Sequence, residues 1–306
     1  MPGSAARKRP VLREGGWARL ATTVTKKPGR FCPCLSLVAV LLLIGPLDPS
    51  AHSAAARTSF TLRSTILNEE RSFEVHVPSG RGPFDTVYVL DGQAHFANVV
   101  DTLARLGRPE TIVVGLGNIW LRDRDYTPTQ VAPSAFVTPA AAKASGGGKR
   151  FIEHVRQELI PYIDAHYPAN ASRTLIGHSL GGLIAVEILL KHPRLFQRFV
   201  VIDPSLWWDD AALLQQSGDL LRNQSKGTRV FVAIAAAKNR NRVDVDAVRR
   251  DTTDNTALIR PSVLWLDSLT ETSGHGMHLA WKYYNDQDHM SVVQTAIPDG
   301  LRFVSR

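Results

Sequence analysis

Residues 177–181 read Gly-His-Ser-Leu-Gly, a G-x-S-x-G pentapeptide centred on Ser179. A serine hydroxyl is a weak nucleophile until a neighbouring base takes its proton, so the motif matters only in the right backbone setting. Here "RTLI" before it reads as a buried strand and "LGGLIAVEILLKH" after it as a helix. A tight strand-to-helix turn would lift the Ser179 hydroxyl above a sheet, with Gly177 and Gly181 needed because side chains would clash across the turn. It would also put the backbone N–H of Leu180 at a helix N-terminus, where it could hold an oxyanion. The competing reading is a serine that merely opens a helix, flanked by glycines for close packing.

Partners elsewhere in the chain weigh on the choice. In this geometry the base follows the last strand, and His289 in "WKYYNDQDHMSVV" stands there, whereas His275 and His278 precede that strand, at the opposite edge of the sheet from Ser179. A second oxyanion donor should follow the third strand, where "VLDGQAHF" offers the backbone N–H of Gln93. The acid is less legible. It would ordinarily follow "TRVFVAIAAA", and the nearest carboxylates there are Asp244 and Asp246. Asp244 is the tentative assignment. Asp203 in "VIDPSLWW", Asp286, Asp288 and an acid-free Ser–His dyad all remain open.

The elements that must position these groups follow from periodicity. "SFTLRSTILNEERSFEVHVP" is an antiparallel hairpin turning at Asn68-Glu69-Glu70, and "DTVYVLDG", "TIVVGLGN", "RTLIGHS", "FQRFVVIDPS", "TRVFVAIAAA" and "MHLAWKYYND" are further strands. Helices are expected at 94–106, from Lys149 to about His166, after Ser179, near 211–221 and 256–268, and across "SVVQTAIPDGLRFV". Strands alternating with helices predict an α/β domain with a mainly parallel sheet covered on both faces. Residues 116–150 form a long Pro- and Ala-rich excursion ending in Gly146-Gly147-Gly148, read as a flexible approach to the next helix. Followed by Lys149 and Arg150, those glycines lack the spacing and hydroxyl of a phosphate loop.

Charge separates a leader from this domain. The 306-residue chain has a formal charge of +8, but residues 1–34 hold eight Lys and Arg against Glu14 alone. The remainder is nearly neutral, so nothing indicates a nucleic-acid partner. A ten-residue apolar run, Leu35–Ile44, follows the basic stretch and precedes Ala54-Ala55-Ala56. At about 15 Å as a helix it is too short for a bilayer core and suits a cleaved signal peptide. Residues 1–56 are therefore expected to be leader and 57–306 one catalytic domain, exported to the periplasm or beyond, without stable membrane insertion after cleavage. An uncleaved N-terminal anchor is the alternative. Both cysteines, Cys32 and Cys34, precede the apolar run, so the exported chain would have none.

Together "YVLDGQAHF", "RDRDYTP", "GGGKRFIEHVRQELIPYID", "RTLIGHSLGGL", "DPSLWWDD" and "DQDHMSVV" resemble the esterase-D-type α/β-hydrolases, in particular bacterial siderophore esterases that open trilactones. The resemblance spans about residues 60–305 and implies an α/β-hydrolase fold with Ser179 as nucleophile, His289 as base, and Gln93 and Leu180 as oxyanion donors. It also implies that Arg122 faces a small-molecule ester substrate. Trp208, beside Trp207, could stack an aromatic acyl group. The sequence departs from the family at Asp203, where relatives often carry serine, and in having no obvious acid after "VAIAAA". No metal site or cofactor is implied. An acyltransferase on the same fold, or a silent ligand-binding relative, are the alternatives to an ester hydrolase.

Overall fold

The computed structural model describes residues 56–118, 120–221, 226–236, 244–273 and 276–306. The leader up to residue 55, with both cysteines, lies outside the described residues, as do His275 and residues 237–243. The expected hairpin is formed by β1 (Ala56–Ser64) and β2 (Glu69–Val77), with Ser64 opposite Glu69 and Asn68 turning the chain at φ 58°. The other strands are β3 (Phe84–Leu90), β4 (Thr111–Leu116), β5 (Ala169–His178), β6 (Arg198–Ile202), β7 (Arg229–Ala235) and β8 (His278–Tyr284). Their spatial order is β1-β2-β4-β3-β5-β6-β7-β8. β2 runs antiparallel to β1 and β4, and every other pair is parallel. This is the α/β-hydrolase arrangement.

Strands covered on both faces need apolar residues throughout, and all six residues of β4 are buried. On one face α1 (Gly92–Arg105) presents Phe96, Val99 and Leu103, and α10 (Val292–Val304) presents Val293, Ile297 and Leu301. These spacings of three and four put each set on one helical stripe. The other face carries α4 (Gly148–His154), continuing through a π turn at Val155–Leu159 into α5 (Ile160–His166), then α6 (Leu180–Lys191), α7 (Trp208–Leu221), α8 (Val245–Arg250) and α9 (Arg260–Ser273). Expected helix limits hold to within about five residues: α9 lies later than the expected 256–268, and α7 begins at Trp208, ahead of the expected 211, through a left-handed stretch at Asp209–Ala211.

The centre of that second face is α6, whose residues Leu180 to Leu190 are all buried. A helix without a polar side must be covered all round. The 116–150 excursion supplies cover, for it contains α2 (Arg122–Asp125) and α3 (Pro139–Ala144) and sends Tyr126, Val137 and Ala142 into the same core. Its terminal glycines are packed seats rather than a flexible approach. A Cβ on Gly147 would stand 2.7 Å from Arg124 Cγ, and one on Gly148 would stand 2.8 Å from the Thr127 carbonyl.

Charges fix the excursion to the hairpin. Arg71 of β2, 4% exposed, pairs with the fully buried Asp125 at 2.5 Å and donates to Asn118 at 3.0 Å. Arg124 pairs with Glu69 at 2.6 Å, and that hydrogen bond is the main cause of a Glu69 pKa lowered to about 2. Asp125→Ala removes the fully buried partner of Arg71, which keeps Glu69 at 3.0 Å, so it should destabilise the domain by about 2–3 kcal/mol through loss of a buried charge-assisted hydrogen bond. Glu74→Ala, which breaks the exposed Arg57–Glu74 pair, should cost no more than about 1 kcal/mol. Urea unfolding of the two variants measures the contrast.

Candidate active site

Ser179 joins β5 to α6 with φ 60° and ψ −121°. Such angles cost a non-glycine residue about 1–3 kcal/mol and persist only where the surroundings enforce them. Here the Ser179 N–H donates to the Ile202 carbonyl at 3.1 Å, and its own carbonyl accepts from Leu183 at 2.9 Å and Ser205 at 3.1 Å. The turn also excludes any side chain at Gly177, where a Cβ would lie 2.1 Å from the Gly181 carbonyl oxygen. The expectation for Gly181 differs from what is observed, since a Cβ there meets nothing closer than 3.5 Å. The second close approach falls on Gly182, 2.9 Å from Pro204 Cα.

His289 stands in the loop between β8 and α10. Its Nε2 is 2.9 Å from Ser179 Oγ, and its Nδ1 is 2.5 Å from Asp203 Oδ2. Asp203 is fully buried just past the end of β6. Its N–H donates to the Ala233 carbonyl at 2.7 Å, and its Oδ1 accepts from the Ala235 N–H at 3.3 Å. A carboxylate on Nδ1 fixes the proton there and leaves Nε2 to accept from the serine. The loop itself is pinned by Asp288, whose carboxylate accepts the Met290 and Ser291 N–H groups.

The structure brings Asp203, and not the tentatively assigned Asp244, to His289, which gives the ring a carboxylate partner that an acid-free dyad would lack. Asp244 is the N-cap of α8, its carboxylate accepting the Ala247 N–H at 2.8 Å. The expected position after β7 is one strand too far along. β6 lies between β5 and β7, so its end is about 4.8 Å nearer the serine strand. One signal pointed to it: Asp203 is a carboxylate at a strand's carboxyl end, at one of the two places where the sequence departs from the family it resembles.

A cavity of about 360 Å³ opens over these groups, lined by Gln93, His95, Arg122, Ser179, His289 and Met290 among others. A larger cleft of about 490 Å³, between Phe84 and Glu110, lies at the amino ends of β3 and β4, away from the serine. Gln93 and Leu180 occupy the first turns of α1 and α6, whose N–H groups have no partner within the helix. The Gln93 side chain also accepts the Asn118 N–H at 3.1 Å, tying α1 to the loop after β4.

Arg122 lines the cavity as expected but is not free. Its Nε donates to Asp91 Oδ1 at 2.9 Å, and its Nη2 approaches the His178 carbonyl at 3.5 Å. Burial raises the Asp91 pKa and Arg122 opposes the rise. Trp208 is a second correction. It is 4% exposed, donates its indole N–H to the Thr129 carbonyl at 3.2 Å and does not reach the cavity. The turn after β6 points it into the core, and Trp207 is the partly exposed member, its ring 5.9 Å from that of Phe136. His278 begins β8, at the amino edge of the sheet. Among the described residues no group of three or more His, Cys, Asp or Glu is arranged to hold a metal.

His178, inside the pentapeptide, had no role assigned from sequence. Its buried ring donates from Nε2 to the His289 carbonyl at 2.7 Å and lies 4.6 Å from the His289 ring. Burial, then the neighbouring His289, push its pKa down to about 3. Its ordinary value is 6.5, so unfolding at mildly acidic pH lets the ring take up a proton that the folded state refuses. The stability tied to neutral His178 is therefore complete above that ordinary value and lost as the pH falls toward 3. His178→Gln keeps a donor without the titration. Its unfolding free energy should fall less steeply than the wild type's between pH 6.5 and 4, by up to about 1.4 kcal/mol per pH unit, with Tm following in the same direction. Thermal melts across that range provide the comparison.

Comparison with known proteins places this geometry in a family. Residues 64–291 match the Esterase family model, described as "Putative esterase". The chain is 23% identical to the ferri-bacillibactin esterase BesA of Bacillus subtilis, over 77% of this chain and 86% of that one. It is 26% identical to a siderophore enterobactin esterase of Emericella nidulans, covering 72% and 82% of the two chains. Among solved structures, an IroE-like serine hydrolase from Shewanella oneidensis superposes with a TM-score of 0.70 at 30% identity, covering 81% of this chain and 79% of that one. The chain thus belongs to the Esterase family of α/β-hydrolases and is a carboxylic ester hydrolase similar to siderophore esterases.

Proposed function

We propose that this enzyme cleaves its ester through an acyl-enzyme on Ser179, using a Ser179–His289–Asp203 triad. The observation that carries the reading is the unbroken run of contacts from the Asp203 carboxylate through both nitrogens of His289 to a serine in left-handed backbone. His289 takes the Ser179 proton as Oγ attacks the carbonyl carbon, then returns it to the departing alcohol. Water repeats the cycle on the acyl-serine. Asp203 stays ionised and stabilises the imidazolium, while the amides of Gln93 and Leu180 receive the charge on the carbonyl oxygen.

Ser179→Ala should abolish labelling by an organophosphonate and lower kcat by about 10⁴–10⁶. Asp203→Asn should lower it by about 10⁴, while Asp244→Ala should leave it within about twofold. Steady-state kinetics with a chromogenic ester tests all three. An active Asp203→Asn enzyme beside an inactive Asp244→Ala enzyme would overturn the triad.

The substrate we propose is a siderophore ester of the trilactone kind, acting after export of the chain. The similarity to siderophore esterases, the open cavity and the Arg122 guanidinium on its wall support this reading. The basic leader and its apolar run support export. Arg122→Ala should lower kcat/KM for a trilactone by about 10- to 100-fold through loss of charge-assisted hydrogen bonds, and less for a short neutral ester. Equal losses on both would assign Arg122 to holding Asp91 alone.

A further inference from the structure

We infer that Ser205 is a further catalytic residue: its hydroxyl donates a hydrogen bond to Ser179 Oγ and stabilises that oxygen whenever it carries negative charge. The inference rests on Ser179 as nucleophile and adds a group which that reading does not use. Ser205 is 3% exposed, and its Oγ lies 3.4 Å from Ser179 Oγ, the one hydrogen bond its hydroxyl makes among the described residues.

The direction of that hydrogen bond follows from counting protons. His289 holds its proton on Nδ1 against Asp203, so its Nε2 can only accept. The single Ser179 proton is therefore directed to Nε2, 2.9 Å away. Ser179 Oγ has only lone pairs left to offer, so the Ser205 proton points at it. A donor chain results: Ser205 to Ser179, Ser179 to His289, and His289 to Asp203. A separation of 3.4 Å is long for two neutral hydroxyls, as resting catalytic contacts often are. It shortens as the acceptor gains charge, because hydrogen bonds to ionised oxygen are shorter and stronger.

Oγ gains charge twice in the cycle. On attack, the Ser179 proton passes to Nε2 while Oγ bonds to the carbonyl carbon, and the carbonyl π pair moves onto its oxygen. On deacylation, water loses a proton to Nε2 and its oxygen bonds to the acyl carbon. The C–Oγ bond then breaks, and Oγ leaves with the electron pair and takes the proton back from His289. The Ser205 proton stays on Ser205 throughout. Its donation favours a charged Oγ over the neutral hydroxyl or ester oxygen, which is the differential stabilisation that accelerates a step.

The turn bearing Ser205 is held firmly enough to aim it. The Ser205 N–H donates to the Ser179 carbonyl at 3.1 Å, and Ser262 Oγ donates to the Pro204 carbonyl at 2.9 Å. Gly182 packs against Pro204 so closely that a Cβ would fall 2.9 Å from its Cα. The backbone of the turn is thus fixed to the nucleophile's own turn, without help from the hydroxyl.

The test is Ser205→Ala with Ser205→Cys beside it, measured by Tm, by kcat and KM on a chromogenic ester, and by the second-order rate of organophosphonate labelling. Removing the hydroxyl should lower kcat and the labelling rate together by about 10- to 100-fold, with KM and Tm nearly unchanged. The thiol, a weak donor, should fall between alanine and wild type. Labelling at Ser179 with an unchanged rate in Ser205→Ala would overturn the proposal and leave Ser179 as nucleophile. A lost rate accompanied by a lowered Tm in both variants would overturn it in favour of a packing role. Wild-type label on a residue other than Ser179 would instead remove the reading beneath it.

Discussion

The site depends on one close approach: the Gly177 Cα packed against the Gly181 carbonyl, so near that no side chain fits between them. That contact forces Ser179 into left-handed backbone and stops β5 from running on. It turns the serine out over the carboxyl end of the sheet and starts α6 immediately behind it. Everything else in the site is arranged around a serine already fixed in place. The apolar α6 anchors the turn from behind, the 116–150 excursion covers α6, and buried ion pairs fasten the excursion to β2. A loosening at Arg71 or Asp125 would therefore reach the chemistry through packing, although neither residue lines the cavity.

The buried charges around the serine each have a partner or are kept neutral. Asp203 is buried but has the Ala235 N–H and the imidazole as partners. Asp91 is buried beside Arg122. His178 is kept neutral by burial, so the positive charge that the proposed mechanism places on His289 is not met by a second imidazolium 4.6 Å away. A neutral His178 also retains the proton that it donates to the His289 carbonyl. The ring that could have repelled the base instead helps to hold its loop.

Much of this was legible from residue patterns. Buried strands and apolar helical stripes have strong periodicities, and chain order alone separated His289 from His278. The serine turn was readable because Gly177 stands where no side chain fits, although the room at Gly181 was misjudged. What failed had a local signal too weak to decide between candidates. Asp203 and Asp244 are both carboxylates near strand ends, and the choice depends on which strand lies beside β5, a matter of tertiary packing. Trp207 and Trp208 are chemically identical neighbours, and only the backbone direction after β6 decides which one is buried. The role of Gly182 also escaped, because the atom that excludes a side chain there belongs to Pro204, on a different strand connection.

The three groups in contact come from distant parts of the chain. Asp203 precedes His289 by 86 residues, and Ser179 precedes it by 110. Bringing them together requires β8 to pair with β7 and α10 to dock on the sheet, and such non-local pairings form slowly because loop-closure entropy opposes them. A chain whose serine turn had already formed would still lack its base. Hydrolytic competence thus requires long-range pairings on both sides of the serine strand, which makes turnover a stringent reporter of complete folding.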